Sequence, residues 1–167
     1  MRFRPFDERD HEALHQLDLR ILRQEDAQFD ERSDREREGR IRTSLAALRF
    51  YQRSEHSFVA DEGDVVAALF AQSIWQGDKP CVWISKILAD STQAHFSVRV
   101  SGLLKACIKS AFDTGIYEIQ GCFNPGELEV AGPHGFGFQG IQAICHLGSR
   151  AHTALLRNAS DTGMDVL

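Results

Sequence analysis

The spacing of apolar residues changes several times along the chain, and each change marks an element. Residues 2–6 are apolar at alternate places, which predicts a short opening strand ended by Pro5. Leu14, Leu17 and Ile21 then recur at helical spacing, so a first helix is expected over residues 8–24, capped by Asp7 or Asp10. Residues 24–40 carry eleven charges in seventeen positions, with the two signs alternating. This pattern predicts a mobile connection and the exposed start of a second helix, which runs to about Gln52 with Ile41, Leu45 and Leu48 on its buried stripe.

From Ser57 the period becomes two. Strands are expected over residues 57–60, 65–75 and 81–89, joined by turns at Asp61-Glu62-Gly63-Asp64 and Gln76-Gly77-Asp78-Lys79-Pro80, which makes an antiparallel meander. After a polar break at 90–96, Ser97 opens a helix whose Val100, Leu103, Leu104, Cys107, Ile108 and Ala111 share one face, ended by Gly115. A strand is expected over 116–123, stopped by Asn124-Pro125-Gly126, then a short helix over about 127–131. Gly140–His146 and His152–Asn158 read as a closing hairpin, with a polar tail from Ala159. The order β-α-α-β-β-β-α-β-α-β-β predicts a single α/β (α+β) domain over residues 1–167, a mixed sheet with helices on both faces.

Composition narrows the function. A net charge of −5 argues against a non-specific nucleic-acid or anionic-membrane binder, since both need a positive surface. No apolar run approaches the ~18 residues of a membrane span, and the first residues lack the apolar core of a signal peptide. The 4 cysteines form no C-x-x-C pair, which fits a reducing, cytoplasmic setting. No zinc or other metal site is expected: His11 and His15 lie four apart but lack a third ligand. The 13 glycines are uneven, with seven between Gly121 and Gly148 and none between Gly77 and Gly102.

This order resembles the GNAT family of N-acetyltransferases over nearly the whole chain. Residues 1–17, with Arg4-Pro5, an acidic cap and an amphipathic helix, are similar to that family's opening. Gly137-Phe138 is similar to its Gly-Phe dipeptide, and Asn124 stands where many members have an asparagine. The resemblance implies a GNAT-like mixed sheet and an acyl-CoA site. It implies that acetyl-CoA or another acyl-CoA is held by Leu88, Ala89, Asp90, His95, Ser97, Val98, Arg99 and Asn124. The family's pyrophosphate loop, [Gln/Arg]-x-x-Gly-x-[Gly/Ala], falls on His95 to Val100, where Val98 and Val100 replace both glycines. Glycines let backbone N–H groups approach phosphate; valine methyls take up that space. His95, Ser97 and Arg99 bring side chains that could bind instead, or the valines simply pack on the sheet with Ser97 as a cap.

In the family an amine attacks the thioester, aided by a base and often by a tyrosine on the short helix. Residues 125–134 contain no tyrosine, and His134 is the proton donor nearby, unless it is only a turn residue. A base could come from Ser85, Lys86 or Asp90 on one strand or from Glu118 on its neighbour, with Lys86 and Glu118 the chosen candidates. Alternation puts Lys86 with Ile84 and Leu88, where a lysine is either desolvated for chemistry or snorkels to water. Two functions stay open. One is an acyl-CoA-dependent N-acyltransferase acting on a small-molecule or peptide amine; the other is a non-catalytic GNAT-derived binding or interaction module. A homodimer through the closing hairpin would protect an exposed strand edge.

Overall fold

The computed structural model describes residues 1–140; Met1–Gly137 form one compact unit and Phe138 begins a second. The expected closing hairpin, the dimer edge it would offer and the tail lie, beyond Gly140, outside the described residues. Strand β1 (Arg2–Arg4) leads through a 3-10 turn (Glu8–Asp10) into helix α1 (His11–Glu25). A second 3-10 turn (Phe29–Glu31) precedes α2 (Asp34–Arg40) and α3 (Leu45–Gln52). Then come β2 (Phe58–Asp61), β3 (Val65–Gln76), β4 (Lys79–Ala89), α4 (Phe96–Asp113), β5 (Ile119–Gly121), α5 (Pro125–Ala131) and a 3-10 turn (Gly132–His134). The sheet runs β1-β2-β3-β4-β5, antiparallel except for the parallel β4–β5 pair. The parallel pair follows from α4, a helical crossover long enough to return the chain in the same direction. Among the described residues no helix is long and apolar enough to cross a membrane.

Helices cover both faces. On one, Val100, Leu103, Leu104, Cys107 and Ala111 of α4 pack on Leu69, Ala71, Val82, Ile84 and Ile87. On the other, Leu14, Leu17 and Ile21 of α1 and Leu48 of α3 pack on Val59, Ala68, Phe70 and Leu88. Each Val, Leu, Ile or Phe among them contributes about 1.5–3 kcal/mol on burial, which outweighs differences in helix propensity.

Several expectations are corrected. The charged segment and second helix are not continuous, because Asp18, fully buried on α1, accepts the N–H groups of Arg42 (2.6 Å) and Thr43 (3.1 Å). Those donors are withdrawn from a helical ladder, and Ser44 starts α3 afresh by accepting from the Ala47 N–H. Of the expected stripe only Leu48 is buried, Leu45 being 54% exposed. The strand expected over 116–123 shrinks to β5. Gly115, at φ 76°, turns the Ile116 N–H back to the Ala111 carbonyl (2.9 Å), so residues before β5 close α4 instead. Helix α4 begins one residue early at Phe96, so Ser97 is inside the first turn and not its cap.

The alternation along β4 is also corrected. Ala71 pairs with Ile84 but Phe70 with Lys86, so Ser85 is an extra residue, a β-bulge. Ile84 and Ile87 therefore both face α4, while Lys86 and Leu88 turn to the α1 face. Simple alternation would have put Lys86 beside Ile84.

Candidate functional site

Strand β5 stays with β4 for three pairs: Val82↔Ile119, Trp83↔Gln120 and Ile84↔Gly121. Gly121 permits the last close approach, since a Cβ there would lie 3.0 Å from Ile84 Cβ and 3.1 Å from its carbonyl oxygen. Beyond it β4 continues from Ser85 to Ala89 with no strand on that side among the described residues. An unpaired strand edge is a row of backbone donors and acceptors ready for a ligand. Leu88 has its side chain in the α1-side core and Ala89 packs on the α4 side, so each offers the site its backbone.

The edge ends at Asp90, which is 6% exposed. Its carboxylate accepts from the Thr92 N–H (2.9 Å) and hydroxyl (2.6 Å) and from the amides of Gln24 (3.0 Å) and Gln93 (3.3 Å). Burial opposes its ionisation, yet these hydrogen bonds prevail and hold its pKa down to about 2. Asp90 thus orders the turn that delivers the chain to α4.

At the head of α4, Phe96 donates to the Gln93 carbonyl and Arg99 to that of His95, both at 3.0 Å. The amides of Ser97 and Val98 between them make no hydrogen bond among the described residues, as the first turn of a helix requires. His95 stands exposed at the cap position without a side-chain cap bond. The two valines differ: Val98 is 57% exposed and Val100 is fully buried in the core. No described non-glycine residue has positive φ, so the valines act through their methyl groups and not through backbone strain. Arg99 is turned away, 3.1 Å from Glu62 in the β2–β3 turn, with its Nε buried and unpartnered.

A groove of about 1160 Å³ runs along the outer face of α4 and against α5, lined by Ser97, Val98, Ser101, Lys105, Val130 and His134 among others. His134 Nε2 is hydrogen-bonded to Ser101 Oγ at 2.9 Å. Asn124 caps α5, accepting from the Glu127 N–H (2.9 Å) while Glu127 Oε2 accepts from the Asn124 N–H (2.9 Å). With Pro125 at the first position, this capping starts α5 ahead of the residue expected from sequence.

On the α1 side lies a charged cluster that the sequence did not announce. Arg42 Nε donates to Asp18 (2.7 Å), its Nη1 lies 3.5 Å from Glu25, and its Nη2 is buried without a partner. Burial pushes the Glu127 carboxyl up, against the Asn124 N–H and the positive charge of Lys86 and Arg42, with Glu25 adding to the rise. One signal was present: Asp18 interrupts the apolar stripe of Leu14, Leu17 and Ile21. His11 and His15 are spent on Gln52 (3.0 Å) and Thr43 (3.2 Å).

The three catalytic candidates are not brought together. Lys86 faces α1 and His134 lies in the groove on the α4 side. Glu118 is exposed, and its carbonyl accepts from the Val82 N–H at 2.9 Å. At roughly 3.3 Å per residue that is roughly 20 Å along β4 from Ala89.

The family described as a protein of unknown function, DUF1999, matches residues 1–159. The chain is similar to wild-type TTHA1254 from Thermus thermophilus at 35% identity, covering 90% of this chain and 100% of that one, with a TM-score of 0.67. A predicted acetyltransferase with acetyl-CoA from Clostridium acetobutylicum aligns at 14% identity over 88% of this chain and 95% of that one, TM-score 0.59. An aminoglycoside acetyltransferase, meta-AAC0020, from an uncultured soil metagenomic sample and in complex with sisomicin, aligns at 14% identity over 88% and 96%, TM-score 0.60. At that identity the likeness shows the fold, and the fold is the GNAT-like mixed α/β sheet expected from the element order. No curated protein matches the sequence.

Proposed function

Since the chain belongs to the DUF1999 family and has a GNAT-like fold, we propose that it is an acyl-CoA-dependent N-acyltransferase with a non-standard cofactor seat. The observation that carries this reading is the parting of β4 and β5 after Ile84 and Gly121, which leaves an open backbone edge leading to the head of α4. The residues there fit such a cofactor: the backbone of Leu88, Ala89 and Asp90 can pair with its amide arm. The open N–H groups of Ser97 and Val98, with His95 beside them, suit its anionic end at a helix N-terminus. Asn124 holds the opposite wall as the cap of α5. Arg99, already paired with Glu62, takes no direct part.

A bound acyl-CoA would supply a thioester: the amine nitrogen bonds to its carbonyl carbon, and the C–S bond breaks with its electron pair leaving on the CoA thiolate, which takes its proton from solvent. The chain's contribution is positional and electrostatic. Backbone N–H groups on the free edge of β4 would meet the carbonyl oxygen as charge develops on it. The amine, of a small molecule or peptide, would approach over the face of Lys86, Arg42 and Glu25, whose charges reach Glu127 of α5; burial raises the affinity of the Glu127 carboxylate for protons, so it can take the amine proton. Lys86 would orient the acceptor there, and His134 would serve the cofactor side. Glu118, at the other end of β4, has no role in this scheme.

A second reading, a binding module without catalysis, is favoured by Val98 and Val100 in place of glycine and by the lack of a tyrosine in residues 125–134. Thermal unfolding with acetyl-CoA, followed by an assay for released CoA thiol with a panel of amines, separates the two. Ligand at 100 times its Kd adds about 2.7 kcal/mol, a shift of several degrees. A shift with amine-dependent thiol release is the transferase result. A shift without thiol release supports the binding module, and no shift with acetyl-CoA or CoA refutes the transferase.

A further inference from the structure

A phosphate at the head of α4 finds two open amides, those of Ser97 and Val98, where a glycine loop would present more. The outer face of the same helix continues with side-chain donors. Ser101 and Lys105 are four residues apart, hence neighbours on one face, and both line the groove. From the opposite wall His134 is hydrogen-bonded to Ser101 at 2.9 Å. Its 3-10 turn contains Pro133 and is closed by Gly135 at φ 91°, which constrains the backbone that carries the ring, and the bond to Ser101 orients the ring itself. Lys105 is exposed and has no ion pair among the described residues, whereas Lys109, one turn further, is tied to Asp113. Glu129 of α5 also lines this groove and opposes an anion there.

We propose that Ser101, Lys105 and His134 form a side-chain phosphate seat that binds a phosphate monoester on the nucleotide end of the cofactor. The proposal rests on the acyl-CoA reading above and adds which groups supply the affinity that the missing glycines do not. A lysine ammonium and an imidazole steadied by a hydroxyl give charge-assisted hydrogen bonds to a dianion, stronger than those of neutral amides. From the Val98 amide to Lys105 is seven residues, about 10 Å along the helix axis. A nucleotide with phosphates on both sides of its ribose spans that distance, so the helix head and the seat can be occupied by one ligand.

Calorimetric binding of acetyl-CoA, acetyl-3′-dephospho-CoA and adenosine 3′,5′-bisphosphate to the wild type and to Lys105→Gln, His134→Asn and Glu129→Gln tests the seat. The mutated side chains are exposed or half-exposed, and unchanged melting temperatures would show that each variant folds. Loss of the 3′-phosphate should weaken wild-type binding about 10- to 100-fold. Lys105→Gln and His134→Asn should weaken acetyl-CoA about tenfold while barely changing the dephospho ligand, and Glu129→Gln should tighten acetyl-CoA alone. Equal affinity for acetyl-CoA and its dephospho form, or an equal loss for both in Lys105→Gln, overturns the seat. If acetyl-CoA fails to bind but the bisphosphate binds through Lys105, the seat stands and the transferase reading falls. If neither binds, both fall.

Discussion

Deleting the carboxylate of Asp18 should destabilise the protein more than deleting any surface charge. Asp18 is fully buried and accepts four hydrogen bonds: from the N–H groups of Arg42 (2.6 Å) and Thr43 (3.1 Å), from Arg42 Nε (2.7 Å) and from the Thr43 hydroxyl (3.1 Å). In Asp18→Ala the Thr43 N–H is left unsatisfied at 2% exposure while its hydroxyl keeps only His15 (3.2 Å), and a buried donor without a partner costs about 1–3 kcal/mol. The Arg42 side chain, 19% exposed, keeps only the longer contact to Glu25 at 3.5 Å. Breaking a buried pair by removing one partner costs about 3–5 kcal/mol, and the hydrogen-bond losses overlap with that figure, so about 4 kcal/mol is expected. Asp18→Asn keeps the shape and one good acceptor and should lose about half as much. Urea unfolding near neutral pH measures both, with an unchanged slope showing that the denatured state is unaltered. For a chain of 167 residues the Ala variant should melt roughly 8–16 °C lower. A loss under about 1 kcal/mol in Asp18→Ala would refute the claim that this carboxylate holds the α2–α3 joint.

His56, 3% exposed, donates Nδ1–H to Ser110 Oγ (3.0 Å), because the Ser110 hydroxyl is itself spent on the Glu55 carbonyl (2.6 Å). Burial pushes its pKa below the ordinary 6.5, with Glu55 opposing, so the unfolded chain takes up the proton first. The stability that His56 contributes is complete above pH 6.5 and is lost as pH falls from there through the lower folded value. Melting curves from about pH 7 to about pH 5 should flatten in His56→Gln; equal slopes would contradict this. Leu104→Ala, at a site with no exposure, should lose about 2–5 kcal/mol in urea unfolding. Gly121→Ala puts a Cβ 3.0 Å from Ile84 Cβ, so β5 must yield, at a cost of about 1–3 kcal/mol in the same assay. Val98→Gly should bind acetyl-CoA more tightly by calorimetry, since it clears methyl groups from beside the open amides; weaker binding would show that the side chain helps to hold the ligand.

The regular parts of the fold were legible because burial has a period. The apolar stripes of α1 and α4 and the alternation in β2 and β3 determine which residues face the sheet, and the order of strands and helices from β2 through α5 follows from them. Two capping residues were equally readable in kind, Asp7 at the start of the first helical segment and Gly115 at the end of α4, whereas Asn124, read as the stop of a strand, is the cap of α5. The gap in glycine between Gly77 and Gly102 was visible too, and the head of α4 falls inside it.

What only the tertiary structure decided are features that depend on contacts distant in sequence. Nothing local to Arg42 and Thr43 says that Asp18, more than twenty residues earlier, will capture their N–H groups and split a helix. Nothing local to Ser85 marks a bulge, since the extra residue exists only relative to β3, yet that residue moves Lys86 to the face opposite Ile84. The two valines of the motif look alike in sequence, but the turn of α4 on the sheet buries Val100 and leaves Val98 at the groove. His134 reads as a turn residue until the 3-10 turn brings it to Ser101, thirty-three positions away. Periodicity, a local property, specified the scaffold; the site arises from register and docking, which are properties of pairs of segments.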